Sequence, residues 1–169
     1  MQNENITDQT SPSAELQVAG LIAKFEPKNQ KLINSVRGML QKRFPMMNEL
    51  VYHYTKSLVI SYSPNEYGKD GFVAFSADPN GLRLFFNYGL NLPDPHNILQ
   101  GDGRQTRYIR IEESNDILRP EVESLLEAVT GKVPISPDNS GRGELIIKSS
   151  KKKTKSGSAK PRRPGPKGA

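Results

Sequence analysis

The amino-acid sequence predicts an α+β domain in which helices pack on an antiparallel sheet. Apolar residues recur at helical spacing twice near the N-terminus, short β-rich runs separated by turns occupy the middle of the chain, and a third helical pattern follows. Helices and strands that are segregated along a chain are typical of α+β folds rather than of alternating βαβ folds. We expect a meander of four to five strands, with two N-terminal helices and one C-terminal helix packed on it.

Two apolar stripes that stop at prolines predict the N-terminal helices. Ser11-Pro12 has the composition of a helix start, with Ser as the cap and Pro at the first helical position. The first stripe stops before Pro27, and Pro45 stops the second. The stripes consist of Val18, Leu21, Ile22 and Phe25, and of Leu32, Ile33, Val36, Leu40 and Phe44.

Three β-rich runs joined by short loops predict the antiparallel meander, at residues 58–62, 72–76 and 82–88. The clearest turn is Asp78-Pro79-Asn80-Gly81, because Pro is preset for its second position and Gly can adopt a positive φ. After an irregular loop that contains two prolines and two glycines, the alternation over residues 106–111 predicts a fourth strand.

The last helical stripe starts at Pro120 and is followed by Gly131 as a C-cap; its apolar members are Val122, Leu125, Leu126 and Val129. The chain therefore divides into a disordered N-terminus (1–10), an α+β domain (11–131), a linker (132–147) and a disordered basic tail (148–169). Within the linker, the short apolar run 144–147 is a candidate edge strand.

Composition excludes several classes of function. The chain of 169 residues has no cysteine, which excludes disulfides, thiolate metal ligands and a cysteine nucleophile. With His53 and His96 as its only imidazoles, it cannot form a three-histidine metal centre. No apolar run reaches the roughly 18 residues of a membrane span, and the N-terminus lacks the pattern of a signal peptide. We therefore expect a cytoplasmic protein without a membrane partner.

The net charge of +6 is unevenly distributed along the chain. Nine of the 24 lysines and arginines lie from Lys148 onward, where there is no acid, which leaves 15 bases against all 18 acids in the rest of the chain. The body is thus mildly acidic, and the tail is a polycation. Such a tail predicts either sequence-independent contact with nucleic-acid phosphates or a solvated terminus without a partner. The tail residues proposed to contact nucleic acid are Lys151, Lys152, Lys153, Lys155, Lys160, Arg162 and Arg163.

The loop from Gly101 to Arg107 is the best candidate for a small-ligand site. Gly101 and Gly103 let successive backbone N–H groups converge, and Arg104 and Arg107 can clamp a carboxylate or phosphate. The alternative is a tight turn that enters a strand, with both arginines paired to nearby acids. The acids considered for these pairs are Asp94, Asp102 and Glu112.

Asp94 and His96 flank Pro95 and are the remaining candidates for this site. A carboxylate and an imidazole can ligate a divalent metal or relay a proton, but His53 is the only further imidazole, so we expect no metal site. The alternative for Asp94 is a turn capped by its own side chain. The chain has no catalytic motif and implies no cofactor, so we expect a protein without enzymatic activity. Polar aromatic residues are candidates either for lining a pocket beside Arg83 or Arg107 or for packing at the margin of the core: Tyr52, His53, Tyr54, Tyr62, Tyr67 and Tyr88.

Several short motifs resemble the bacterial YdhG-like family, also called DUF1801. They lie at residues 58–64, 84–86, 92–95, 99–107 and 119–122, in the family's order and spacing, and the similarity extends over residues 32–129. The resemblance implies a small α+β domain with helices on an antiparallel sheet and implies no known chemistry. One branch of the family is described as frataxin-like and linked to iron handling, but this chain lacks an acid-rich first helix.

Three functional hypotheses follow. The first is a non-enzymatic binding module for a small anion or a protein partner, with its site near the Gly101–Arg107 loop. The second is association with nucleic acid through the basic tail, and the third is frataxin-like iron binding.

Overall fold

The computed structural model describes residues 12–133 and 143–148, and within these ranges the predicted helices are confirmed. The helices are α1 (Pro12–Ile22), α2 (Pro27–Arg43) and α3 (Pro120–Thr130), each of which begins at a proline. The predicted stripes supply the helical residues of the core: Val18, Ile22, Ile33, Val36, Leu40, Val122, Leu125, Leu126 and Val129 are all buried. The proposed Ser11 cap, the N-terminus 1–10 and most of the basic tail lie outside the described residues.

The sheet has six strands and is mixed, so the predicted antiparallel sheet of four to five strands is wrong in strand number and in one orientation. The first five strands form an antiparallel meander, whereas the last strand pairs in parallel with the first. The strands are β1 (Asn48–His53), β2 (Leu58–Ser63), β3 (Val73–Asp78), β4 (Gly81–Phe86), β5 (Arg107–Ile111) and β6 (Leu145–Lys148), in the spatial order β5-β4-β3-β2-β1-β6.

Strand β1 was not expected, because it begins with two polar residues that are buried in the structure, Asn48 and Glu49. A strand of this composition lacks the regular polar and apolar alternation of a half-exposed strand. Strand β6 confirms the candidate edge strand. The prediction that the disordered tail begins at Lys148 is wrong by this one residue, since Lys148 pairs with Tyr52 in β1.

The turn between β3 and β4 has the predicted chemistry. Gly81 adopts φ +131°, a conformation that favours glycine, and the Asn80 N–H donates a hydrogen bond of 2.7 Å to Asp78 Oδ1. This turn aligns β3 and β4 so that Phe75 lies opposite Leu84, and both side chains are fully buried.

All three helices cover the same face of the sheet. Glu49 and Tyr62 are opposite each other in β1 and β2. Glu49 contacts Arg37 in α2, and Tyr62 contacts Phe44, the residue directly after α2. One buried apolar cluster joins the helix stripes to the residues of this face, such as Phe75 in β3. None of the described helices is long and apolar enough to cross a membrane.

The opposite face of the sheet carries none of the three described α-helices. Residues 64–72, which connect β2 to β3, cross part of it, with Gly68 against the Tyr52 hydroxyl and Gly71 against Ser61 Oγ. Leu50 and Ala74 on this face are buried but do not belong to the main apolar cluster. The sheet therefore has one face inside the core and one face that is only partly covered.

Candidate functional site

The predicted Gly101–Arg107 loop folds back on itself, and its two arginines have different surroundings. The Arg107 guanidinium donates hydrogen bonds to the Gly103 and Thr106 carbonyls, the second at 2.9 Å. Arg104 is exposed and forms no ion pair with any described residue. The turn interpretation is thus correct in outline, but the expected pairing of these arginines with acids is wrong, because Arg107 binds backbone carbonyls. Gly101, at φ +111°, lies against the Tyr108 ring.

Asp94 and His96 also point to separate neighbours. The Asp94 carboxylate accepts hydrogen bonds from the Ile98 N–H at 3.0 Å and the Leu99 N–H at 2.9 Å, which is the predicted self-capped turn. His96 lies near α3, where the pKa of Glu121 is below its ordinary value. The main causes are hydrogen bonds from its own backbone N–H and from Arg119, and the charge of His96 adds to them. The interactions described for these two residues are thus with different neighbours.

No described part of the chain brings together three or more His, Asp or Glu side chains that could hold a metal ion. The single acid of the first helix, Glu15, is engaged in an ion pair with Arg37 at 3.2 Å. The described residues accordingly give no support to the iron-binding hypothesis.

A buried polar network joins α1, α2, β1 and β2. Arg37 in α2 donates from Nε to Glu49 Oε2 at 3.0 Å and from Nη2 to Glu49 Oε1 at 2.9 Å. Glu49 also accepts hydrogen bonds from Gln41 Nε2 at 2.7 Å and from the Tyr62 hydroxyl at 3.0 Å. On its other side, the guanidinium donates twice to Glu15, at 3.2 Å each. Each oxygen of Glu49 thus accepts two hydrogen bonds, so the carboxylate is fully used inside the network.

The electrostatics of this network fix the protonation states of Tyr62 and Arg37. Burial raises the pKa of Tyr62 well above its ordinary value, and the charge and hydrogen bond of Glu49 raise it further. Burial alone lowers the pKa of Arg37, but hydrogen bonds and charges from Glu49 and Glu15 outweigh this effect and raise it. Tyr62 is therefore a neutral donor and Arg37 a permanent cation at neutral pH. We assign the network a structural role.

A small cavity lies where the β1–β2 turn meets the corner between α1 and α2, and we call it the hairpin cavity. Its volume is about 320 Å³. Its apolar lining residues are Leu21, Phe25, Leu58 and Pro79, and its polar lining residues are Lys24, His53, Tyr54, Thr55, Lys56 and Ser57.

Three chain corners that are distant in sequence hold the hairpin cavity in shape. In the α1–α2 corner, Gln30 Nε2 donates to the Phe25 carbonyl at 2.6 Å and so fixes the backbone that carries Lys24 and Phe25. In the β1–β2 turn, the Tyr54 N–H donates to the Ser57 carbonyl at 2.8 Å. The β3–β4 turn contributes Pro79 as the third wall. The cavity is thus formed by closed turns with defined backbone geometry.

Two larger cavities have mixed charge. A groove of about 700 Å³ beside the start of α2 is lined by Lys28, Lys31 and Arg110, but also by two acids, Glu112 and Glu113. A third cavity, of about 450 Å³, likewise places basic side chains next to acidic ones. Because neighbouring opposite charges reduce the net attraction for an anion, neither cavity favours an anionic ligand as the hairpin cavity does.

The sequence contained only a weak signal for the hairpin cavity. His53 and Tyr54 were recognised as aromatic candidates for a pocket, but that pocket was expected beside Arg83 or Arg107, on other strands. Lys24 and Lys56 were not among the candidates, and Phe25 was predicted only as an apolar member of the first helical stripe, because each has an ordinary local role near a helix end or in a turn. Only the packing of three separate corners makes them neighbours.

No family model, curated protein or solved structure matches this chain. The resemblance to the YdhG-like family therefore stays a prediction, and the case for a function depends on the geometry of the described residues.

Proposed function

We propose that this chain is a small-molecule binding module, and that the hairpin cavity takes a ligand with an apolar body and an anionic group. One observation carries the proposal: the cavity combines an apolar wall with Lys24, Lys56 and His53, and no acid is among its lining residues within the described chain. Ligand sites are typically pockets of about 300–1,000 Å³ with mainly apolar walls and a few polar groups that orient the ligand.

The hairpin cavity is lined by positive charge, although the body of the chain is mildly negative. Before Lys148 the chain has more acids than bases, yet two lysines face this cavity without an acidic partner in its lining. An ammonium group near the surface contributes about 0.2–1 kcal/mol to an ion pair, so two lysines orient an anion but bind it weakly. Most of the affinity must come from the apolar wall, at about 25 cal/mol for each Å² of apolar surface removed from water.

The test uses decanoate as the probe and decan-1-ol as its uncharged counterpart. We expect decanoate to shift the amide NMR signals of Leu21 and Lys56, and to bind more tightly than decan-1-ol. In the Lys24→Ala/Lys56→Ala variant, the affinity for decanoate should fall about 2- to 30-fold, while that for decan-1-ol stays unchanged.

The matched control is Lys42→Ala/Lys132→Ala, which removes two exposed lysines outside the cavity. This variant should bind decanoate as the unmodified protein does. The proposal is refuted if the control loses as much affinity as the cavity variant, or if decanoate leaves the cavity signals unchanged.

A further inference from the structure

The two edges of the sheet differ in how they are covered. On the β5 edge, Gln100 and Tyr108 exchange two backbone hydrogen bonds, at 2.8 and 2.9 Å, so Gln100 occupies the middle of that edge. On the β6 edge, no strand of the described chain other than β1 pairs with β6. Strand β6 also lacks the proline and the central charge with which proteins commonly block an exposed edge. The β6 edge can therefore accept a further strand.

The start of β6 is held in a defined position against β1. Gly143 lies so close to Pro45 that a Cβ at this glycine would be 2.6 Å from the Pro45 carbonyl oxygen. The Glu144 N–H donates to Asn48 Oδ1 at 3.1 Å, and the Glu144 carbonyl accepts from the Glu49 N–H at 2.8 Å. Because the β6 backbone is already fixed in this way, the addition of another strand requires little further ordering of β6.

The register of β6 on β1 determines which of its backbone groups face outward. Glu49 is the register partner of Leu145, and its N–H bonds to the carbonyl of the preceding residue, Glu144. In a parallel pair, the residues of an edge strand alternate between facing the partner strand and facing away from it. Ile146 therefore turns its N–H and C=O to β1, whereas Leu145 and Ile147 turn theirs to the outer edge. Two donors and two acceptors of β6 are thus available to another strand.

The sequence of β6 is complementary to itself when two copies run antiparallel. With Ile146 opposite Ile146, Leu145 lies opposite Ile147 and Glu144 lies opposite Lys148. This alignment joins the outward groups of Leu145 and Ile147 in four hydrogen bonds. It also forms two Glu144–Lys148 contacts, and neither of these residues has an ion pair with another described residue. A parallel alignment in register would instead place like charges opposite each other, which is destabilising.

From these observations we propose that two copies of this chain form a symmetric dimer through their β6 edges. The two six-stranded sheets continue as one sheet of twelve strands, with the two Ile146 residues at the twofold axis. The complementary charges favour a second copy over an unrelated strand. Because each copy contributes one short strand, the interface is small, and we expect a Kd between about 10 µM and 1 mM. This interface is separate from the hairpin cavity.

Sedimentation equilibrium of the full chain measures the association and how two charge variants change it. Glu144→Lys places lysines opposite each other at both ends of the interface, and Lys148→Glu places glutamates there. Each variant alone should raise the Kd at least about 4-fold, because two attractive contacts become repulsive. An equimolar mixture of the two variants restores opposite charges at both contacts, so the heterodimer should form about as tightly as the unmodified dimer.

The matched controls are Glu127→Lys and Lys132→Glu. They make the same two changes of net charge at exposed positions outside β6. These variants, alone or mixed with each other, should associate as the unmodified protein does. An equal recovery of association in this control mixture would show that net charge, and not the β6 register, drives the association, and would overturn the proposal.

Hydrogen exchange and a proline variant test the backbone hydrogen bonds. In the unmodified protein, protection of the Leu145 and Ile147 amides should increase with protein concentration, whereas protection of the Ile146 amide, which faces β1, should not. Ile147→Pro removes an outward N–H and leaves the β1 pairing intact, since proline is tolerated at such positions of an edge strand. This variant should lose the dimer and keep the Ile146 amide protected.

Three further results would overturn the proposal. The first is a chain that stays monomeric up to about 1 mM. The second is a mixture of Glu144→Lys and Lys148→Glu that associates no more tightly than either variant alone. The third is an Ile147→Pro variant that retains the protected Ile146 amide and dimerises like the unmodified protein. If the proline detaches β6 and exposes the Ile146 amide, the mixing experiment decides the question.

Discussion

The buried network around Glu49 provides a quantitative test of the fold. Arg37→Met removes the guanidinium but keeps an unbranched apolar chain in place of the arginine stem. It deletes both hydrogen bonds from Arg37 to Glu49, at 3.0 and 2.9 Å, and leaves the Glu49 carboxylate with only Gln41 and Tyr62 as donors. The Glu49 side chain is only 7% exposed, so water cannot replace the lost donors without a change in structure.

The expected loss of stability follows from this burial. Removal of one partner from a buried ion pair typically costs about 3–5 kcal/mol, because the remaining charge is left uncompensated. The Arg37–Glu15 pair is different, because the Glu15 side chain is 54% exposed. Glu15→Gln, which serves as the control, should therefore cost less than about 1 kcal/mol. A domain is stable by only about 5–15 kcal/mol in total, so Arg37→Met should remove a large fraction of this stability.

Urea denaturation followed by far-UV circular dichroism measures these differences. Together with Arg37→Met, the variants Glu49→Leu and Arg37→Met/Glu49→Leu complete a double-mutant cycle. We expect the double variant to lie within about 2 kcal/mol of the unmodified protein, since an apolar pair can replace a buried ion pair at little cost. The reasoning is refuted if Arg37→Met costs under about 1 kcal/mol, or if the double variant loses the sum of the two single losses.

Two further predictions test the hydroxyl of the network and the fit of two glycines. The folded-state pKa of Tyr62 lies above its unfolded value, mainly because the side chain is buried and also because of Glu49. The hydroxyl of Tyr62 therefore stabilises the fold fully below about pH 10, and this stabilisation is lost as the pH rises further. Tyr62→Phe should lower the free energy of unfolding by about 1–3 kcal/mol at pH 7. In urea denaturation between pH 9 and 11, the free energy of unfolding of this variant should fall less steeply with pH than that of the unmodified protein. Equal slopes for the two proteins would contradict the assignment. A Cβ at Gly89 would lie 2.7 Å from the backbone nitrogen of Arg107, so Gly89→Ala should lower the stability by about 1–3 kcal/mol. A Cβ at Gly38, in the middle of α2, would meet open space, so Gly38→Ala should raise the stability by about 0.5–1 kcal/mol. Thermal and urea unfolding of the two alanine variants test this, and a gain in stability for Gly89→Ala would show that the contact is absent.

The sequence by itself determined the elements whose signals are local. The stripes that follow Pro12, Pro27 and Pro120 predicted three helices, because helical periodicity and the exclusion of proline from helix interiors act within a few residues. The Asp78–Gly81 turn was equally predictable from the sequence, since its conformation depends on its own residues. The self-capped turn at Asp94 belongs to the same class.

Only the tertiary structure decided which of these elements meet. From the sequence alone, Glu49 would be placed on the surface, because a carboxylate is rarely buried without a partner. It can lie in the core only because Arg37 is its partner there. The parallel pairing of β6 with β1 joins segments almost a hundred residues apart, and the hairpin cavity needs Lys24, Lys56 and Pro79 from three separate corners. A local pattern specifies how a segment folds, but the choice of a distant partner depends on the burial and charge balance of the whole chain, which no short segment contains.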